Sequence, residues 1–204
     1  MAVQYHQLGF SSSYEIEVDP EFPPSGSWRL TEIRIGGRST DTLVIKVSPK
    51  EGEPWVGHFG CEGHNLVVGV FGCPHPEHLL VVTGIEAYLF LVSQPRDVVE
   101  VPVHPITAVG RPDGTDLIVV GSFNVLAAID KGGLLWVTDT LFHDGLELAT
   151  GPPGKVHVQG WVGFVSTDSE VLTIDPATGK VIAGNWESPH ATGERDRRWH
   201  REEL

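Results

Sequence analysis

The sequence predicts an all-β fold of four repeated antiparallel units, closed as a β-propeller or laid down as two packed sheets. Three observations carry this expectation. Glycine, at 24 residues, and proline, at 15, punctuate the whole chain rather than one stretch, as tight turns between many strands require. The apolar runs between these marks have the length of strands, not helices. Finally, the stretch from Leu80 to Asp139 contains one unit twice. Gly84 falls on Gly121, Tyr88–Val92 on Val125–Ile129, Ser93 on Asp130 and Val98 on Leu135, without a gap.

Taken in order, residues 1–12 form an arm with no pattern. Ser13–Val18 alternates and reads as a strand with one wet face, ended by Pro20, Pro23, Pro24 and Gly26. Trp28–Ile35 alternates again, less regularly, and Gly36-Gly37 turns the chain into a strand over Thr42–Val47. A polar turn over Pro49–Pro54 leads to Trp55-Val56. This is a first copy of the unit, since Val47-Ser48 falls on Val92-Ser93 at an offset of 45. Asn65–Val70 reads as a buried strand. The fourth copy is Val171–Asp175, which lies over the strand ending at Asp130, again at an offset of 45. These spacings are near the ~40–50 residues of propeller blades. Each copy ends a half-apolar strand at a polar residue (Ser48, Ser93, Asp130, Asp175), turns on Gly or Pro, and returns.

Over Val125–Val137 and Val171–Ala183 the chain resembles the blades of quinoprotein-type β-propellers, in which an aliphatic strand, Asp, a Thr-Gly-Lys turn and a second aliphatic strand recur. The resemblance covers roughly Leu43 to Gly184. It implies repeated β architecture and brings no cofactor. The stretch Trp136–Leu146 is similar to a segment of small bacterial and plant proteins of unassigned function.

One domain is expected over 1–186, with a charged tail over 187–204 that holds four of the 14 basic residues (Arg195, Arg197, Arg198, Arg201) and Trp199. A net charge of −13 speaks against a nucleic-acid or anionic-membrane surface, both of which need basic patches. No apolar run approaches the ~18–20 residues of a bilayer span. Two cysteines are too few for a disulfide framework. The expectation is a soluble cytoplasmic protein with free thiols.

The sharpest chemical candidate is the run from His58 to His78, which holds Cys61, His64, Cys73 and His75. Thiolate with imidazole suits zinc, and Cys61-x-x-His64 has ligand-like spacing. The intervening strand would hold Cys61/His64 and Cys73/His75 some 15–20 Å apart, at about 3.3 Å per residue, unless it folds back. Structural cysteines and surface-turn histidines are the competing reading. A second candidate is His143-Asp144, a potential base and its orienter, competing with an ordinary Asp-Gly turn. Trp136 with these two would make a ligand-binding set. Trp55 and Trp136 hold nearly equivalent places in their repeats, as a packing role predicts. There is no Gly-x-Ser-x-Gly elbow, phosphate-cradling loop or calcium loop.

The functional expectation is a non-catalytic binding or interaction module for a protein partner or small ligand, with no resident cofactor and an open oligomeric state. The alternative is a metal-dependent, hydrolase-like enzyme that holds zinc at the Cys/His cluster with Asp144 as base. A third reading has the tail latching a neighbouring subunit.

Overall fold

A computed structural model describes residues 3–24, 27–36, 41–63, 65–161 and 169–184. The strands are β1 (Tyr5–His6), β2 (Tyr14–Val18), β3 (Thr31–Ile35), β4 (Asp41–Pro49), β5 (Trp55–Cys61), β6 (Val68–Gly72), β7 (His78–Thr83), β8 (Ala87–Leu91) and β9 (Val98–Glu100). They continue with β10 (Ala108–Gly110), β11 (Ile118–Gly121), β12 (Leu126–Asp130), β13 (Gly133–Val137), β14 (Asp144–Leu148), β15 (Val156–Trp161), β16 (Ser169–Ile174) and β17 (Val181–Ala183). No helix occurs among the described residues, so none is long and apolar enough to cross a membrane.

The strands make four sheets. Sheet I has the order β2-β4-β5-β3, sheet II β1-β6-β7-β8-β9, sheet III β10-β11-β12-β13 and sheet IV β14-β15-β16-β17. The all-β expectation of four repeated units therefore holds. The repeated aliphatic strand is β4, β8, β12 and β16, and the strand that returns from its turn is β5, β9, β13 and β17. The antiparallel rule has two exceptions. The patternless arm supplies β1, which pairs parallel with β6, and β3 pairs parallel with β5. The alternating run begun at Trp28 becomes a strand only from Thr31, and the buried strand expected from Asn65 starts at Val68.

Three cores hold the sheets together, each between two consecutive sheets. Leu43, Ile45, Trp55 and Phe59 of sheet I meet Leu79, Val81 and Phe90 of sheet II. Leu80, Val82 and Leu89, on the other face of sheet II, meet Ile118, Val120 and Ile129 of sheet III. Val119, Leu126 and Ala128 of sheet III meet Leu146, Val156, Val158, Leu172 and Ile174 of sheet IV. No such core joins sheet IV to sheet I among the described residues.

This arrangement explains the two kinds of strand in the sequence. Sheets II and III are covered on both faces, so β7, β8, β11 and β12 are almost continuously apolar and buried. Sheets I and IV have one covered face, so β4, β15 and β16 alternate. The alternating strands mark the two ends of the row.

Candidate functional site

The return strand of the repeat is β5, β9, β13 and β17; it is the edge strand of sheets II, III and IV, and the four sheets treat it differently. In sheet I, β5 is not the edge. β3 is added alongside it in a parallel register of five pairs, from Thr31↔Trp55 to Ile35↔Phe59. In sheets III and IV the edge strands are bulged. The β12–β13 register shifts so that Leu135 has no partner, and the β16–β17 register shifts so that Ile182 has none. A bulge twists an edge strand and spoils its row of outward donors and acceptors, a common protection against further pairing.

β9 of sheet II has neither device. Its register on β8 is unbroken, Tyr88↔Glu100, Leu89↔Val99, Phe90↔Val98, and no strand among the described residues pairs with its other side. All three residues are exposed, Val98 at 36% and Val99 at 48%. The amide of Val101 donates inward to Ala87 O at 2.9 Å. Antiparallel bonding alternates along the strand, so the backbone groups of Val98 and Glu100 point outward. The two valines flank the edge on opposite sides: Val98 lies across from Phe90, in the sheet I/II core, and Val99 across from Leu89, in the sheet II/III core. A strand laid beside β9 would extend both cores.

The chain reaches this edge through a tight turn, with Gln94 N bonded to Leu91 O at 2.9 Å and Asp97 N to Gln94 O at 3.0 Å. A cleft of about 360 Å³ opens beside the turn, lined by Thr31 of β3, Glu53, Trp55 and residues 93–97. Asp97, Glu100 and Glu53 outnumber Arg96 here, and His104 sits 3.4 Å from Glu100. The edge thus combines open backbone groups, two aliphatic shoulders and an acidic margin.

The residues singled out from the sequence lie elsewhere and apart. Cys61 ends β5 and packs against the sheet I/II core, where its Sγ contacts Phe59 O at 3.6 Å. Cys73 is buried in the sheet II/III core, so sheet II stands between the two thiols. Burial pushes both thiols up from their usual range, which favours the protonated form over the thiolate that zinc requires. His75 accepts the Glu77 amide through Nδ1 at 3.2 Å, which places the neutral ring's proton on Nε2. The His75 and His78 rings lie against each other at a tilt of 37°, with centroids 4.6 Å apart. His64 lies outside the described residues. Among those described, no three His, Cys, Asp or Glu side chains converge as a metal set.

Trp136 is held in the sheet III/IV core, its Nε1 donating to Pro176 O at 2.8 Å. The His143 amide donates to Trp161 O at 2.8 Å, and Asp144 opens β14 with its own carboxylate accepting the Gly145 amide at 2.7 Å. Neither Trp136 nor this pair lies at the β9 edge. Val98 and Val99 escaped sequence reasoning because a run this short, closed by Pro102, looks like any strand end. The missing partner strand has no signature in the sequence.

The chain matches no protein-family model and no curated protein. Among solved structures it is similar to apo AztD from Citrobacter koseri (TM-score 0.41, 13% identity, over 76% of this chain and 46% of that one). It is also similar to the N-terminal domain of Nup159 (TM-score 0.37, 11% identity, over 93% and 55%). Both are β-propeller-type folds, and the chain spans about half the length of each.

Proposed function

We propose that this chain is a non-catalytic interaction module that binds an extended peptide segment as an added strand on β9. The observation that carries the reading is the contrast at one position of the repeat. The edge of β5 is already extended by a strand, β3, in a parallel register of five pairs, while the edge of β9 is regular, exposed and, among the described residues, unpaired. Main-chain bonding along an open edge supplies affinity, and pockets for alternate side chains supply selectivity. The acidic margin favours cations next to the aliphatic positions. The β3 strand, Thr-Glu-Ile-Arg-Ile, has the matching pattern, with Ile33 and Ile35 packed toward the sheet I/II core.

The test uses a labelled peptide of alternating lysine and valine, read by fluorescence anisotropy and by amide hydrogen exchange. Binding should slow exchange at Val98 and Glu100. Glu100→Pro removes one outward donor and leaves the bonds to β8 in place, so it should abolish binding with little change in melting temperature. Val137→Pro, on the bulged edge of β13, should leave binding unchanged. Equal exchange at Val98 and Glu100 with and without saturating peptide would overturn the reading.

A further inference from the structure

Basic side chains are scarce in the body of this acidic chain. With four of the 14 lysines and arginines in the tail, ten remain for the first 186 residues, against a net charge of −13. Two of the ten, Arg111 and Lys155, line one cavity of about 200 Å³ between sheets III and IV, together with Thr150 and His157. Its walls are the loop that leaves β10 and the loop that joins β14 to β15. Residues 162–168 link β15 to β16 at the opposite end of these strands, beyond the Trp161–Ser169 pair.

The two loops are locked to each other. Gly154 N donates to Asp113 O at 2.8 Å, and Ala149 N donates to His157 O at 2.9 Å. Two glycines bring the walls close. A Cβ on Gly110 would fall 2.7 Å from Leu148 Cδ1, and one on Gly151 would fall 2.3 Å from the His157 ring. Neither has a positive φ, so glycine is needed here for space alone.

The cationic lining is partly fixed and partly uncommitted. Arg111 Nε donates to Thr115 O at 3.0 Å, Nη1 to Leu8 O at 3.3 Å, and Nη2 to Asp116 at 3.2 Å. Its guanidinium also lies 4.3 Å over the Phe10 ring. These contacts hold the group in place and leave further N–H groups of the fork available. The Asp116 side chain is 71% exposed, so water weakens its hold on the charge. His157 is oriented too. Pro152 O can only accept, so Nε2 carries the proton at 3.1 Å, and Nδ1 takes the Thr173 hydroxyl at 3.2 Å. The Thr150 hydroxyl and the Lys155 ammonium, by contrast, have no hydrogen bond or ion pair among the described residues, although the Lys155 charge is felt at Asp175.

We propose that this cavity binds a small phosphate monoester with a short apolar body. Two permanent positive charges, on Arg111 and Lys155, match a dianion better than a singly charged carboxylate. The guanidinium fork, the ammonium and the Thr150 hydroxyl supply the several donors that phosphate oxygens accept. Pro112, Leu148 and Pro152 give the body an apolar wall. The cavity is smaller than the ~300–1,000 Å³ of drug-sized sites, too small for a nucleotide or a chain segment. Asp113 stands exposed on the rim and repels a loosely held anion, so affinity rests on the direct bonds.

Isothermal titration of the full chain with methyl phosphate tests this, with ionic strength held constant by sodium chloride. One saturable site per chain is expected, and a melting temperature that climbs with ligand concentration, as binding to the folded state alone requires. Acetate should not compete. Lys155→Gln should weaken binding roughly tenfold or more, while Lys131→Gln, in a sheet III turn outside the cavity, leaves it unchanged. Melts without ligand establish that both variants are folded. The proposal is overturned by the absence of both saturable heat and a melting shift beyond that of chloride. Undiminished affinity in Lys155→Gln would also overturn it, as would equal losses in the two lysine variants, which mark a general charge effect. Acetate bound as tightly as methyl phosphate would overturn the phosphate assignment in favour of a carboxylate. Each of these outcomes leaves peptide binding at β9 untouched, because that edge belongs to sheet II.

Discussion

The indole Nε1 of Trp55 donates to the backbone carbonyl of Val92 at 3.0 Å. Trp55 begins β5 in sheet I and Val92 follows β8 in sheet II, so this bond ties consecutive sheets at their turn ends. Trp136 of β13 does the same for the next-but-one junction, reaching Pro176 O in sheet IV at 2.8 Å. The equivalent places of these two tryptophans in the repeat therefore reflect an inter-sheet bolt, part packing and part hydrogen bond. Trp55→Phe removes ring volume at a fully buried site and leaves a carbonyl unpaired, so it should cost about 2–4 kcal/mol. Trp136→Phe, at a slightly exposed site, should cost about 1–2 kcal/mol. Urea unfolding of both variants measures the difference, and equal costs would contradict it.

Gly84 and Gly121 align in the repeat but do different work. Gly84 has φ +97°, and a Cβ there would fall 2.1 Å from Glu62 O. Gly121 has no positive φ, and its added Cβ would meet the tip of Leu146 at 3.1 Å, with Leu126 and Ala108 at ordinary contact distances of 3.4 and 3.5 Å. Gly84→Ala should destabilise the chain by more than about 2 kcal/mol, combining a left-handed backbone with a backbone clash. Gly121→Ala should cost less than half as much. Paired thermal melts decide the ranking.

Alkaline pH should weaken the fold in two stages. Burial raises the Cys73 thiol, and burial foremost raises the Tyr14 and Tyr88 hydroxyls, with the neighbouring Tyr5 and the hydrogen-bonded Glu86 carboxylate adding to the respective shifts. A group whose folded pKa lies above its unfolded value releases its proton more readily from the unfolded chain. The stability it supplies is whole below the unfolded pKa and lost as pH climbs above it. The loss should begin near pH ~8.5 with Cys73 and steepen past pH ~10 with the tyrosines. Chemical denaturation from pH 7 to 11 should show this decline, and Cys73→Ala should delay its onset. Native thiol titration should find Cys73 unreactive until the protein unfolds.

The acid side has the opposite sign. Burial, then the neighbouring His75, lowers the His78 pKa, and burial with Arg34 lowers that of His58. Their neutral forms support the fold above the unfolded value of ~6.5, and that support is lost as pH falls below it toward the folded values. Glu77 and Asp130 oppose the shift at His78 without reversing it. His78→Gln should flatten the stability profile between pH 6.5 and 5, measured by urea midpoints. An unchanged slope would place the acid sensitivity elsewhere.

The amino-acid sequence by itself determined that the chain is all-β and built of four related units. Strand length, turn residues and the period of the repeat are local properties, set by backbone preferences and by one or two neighbours. It also held, unread, the order of burial, for the continuous apolar runs of β7 and β11 against the alternating β4 and β16 already distinguish inner sheets from outer ones. The tertiary structure alone decided which chemistry comes together. Cys61 and Cys73 are twelve positions apart in sequence, yet a sheet buried on both faces separates them, because successive residues of a strand send their side chains to opposite faces and the two thiols belong to the cores on either side of sheet II. The same holds for the candidate edge. Whether β9 stands open depends on a strand that β5 receives from 24 residues earlier in the chain and that β9, among the described residues, does not, and pairing between distant segments leaves no local mark in a sequence.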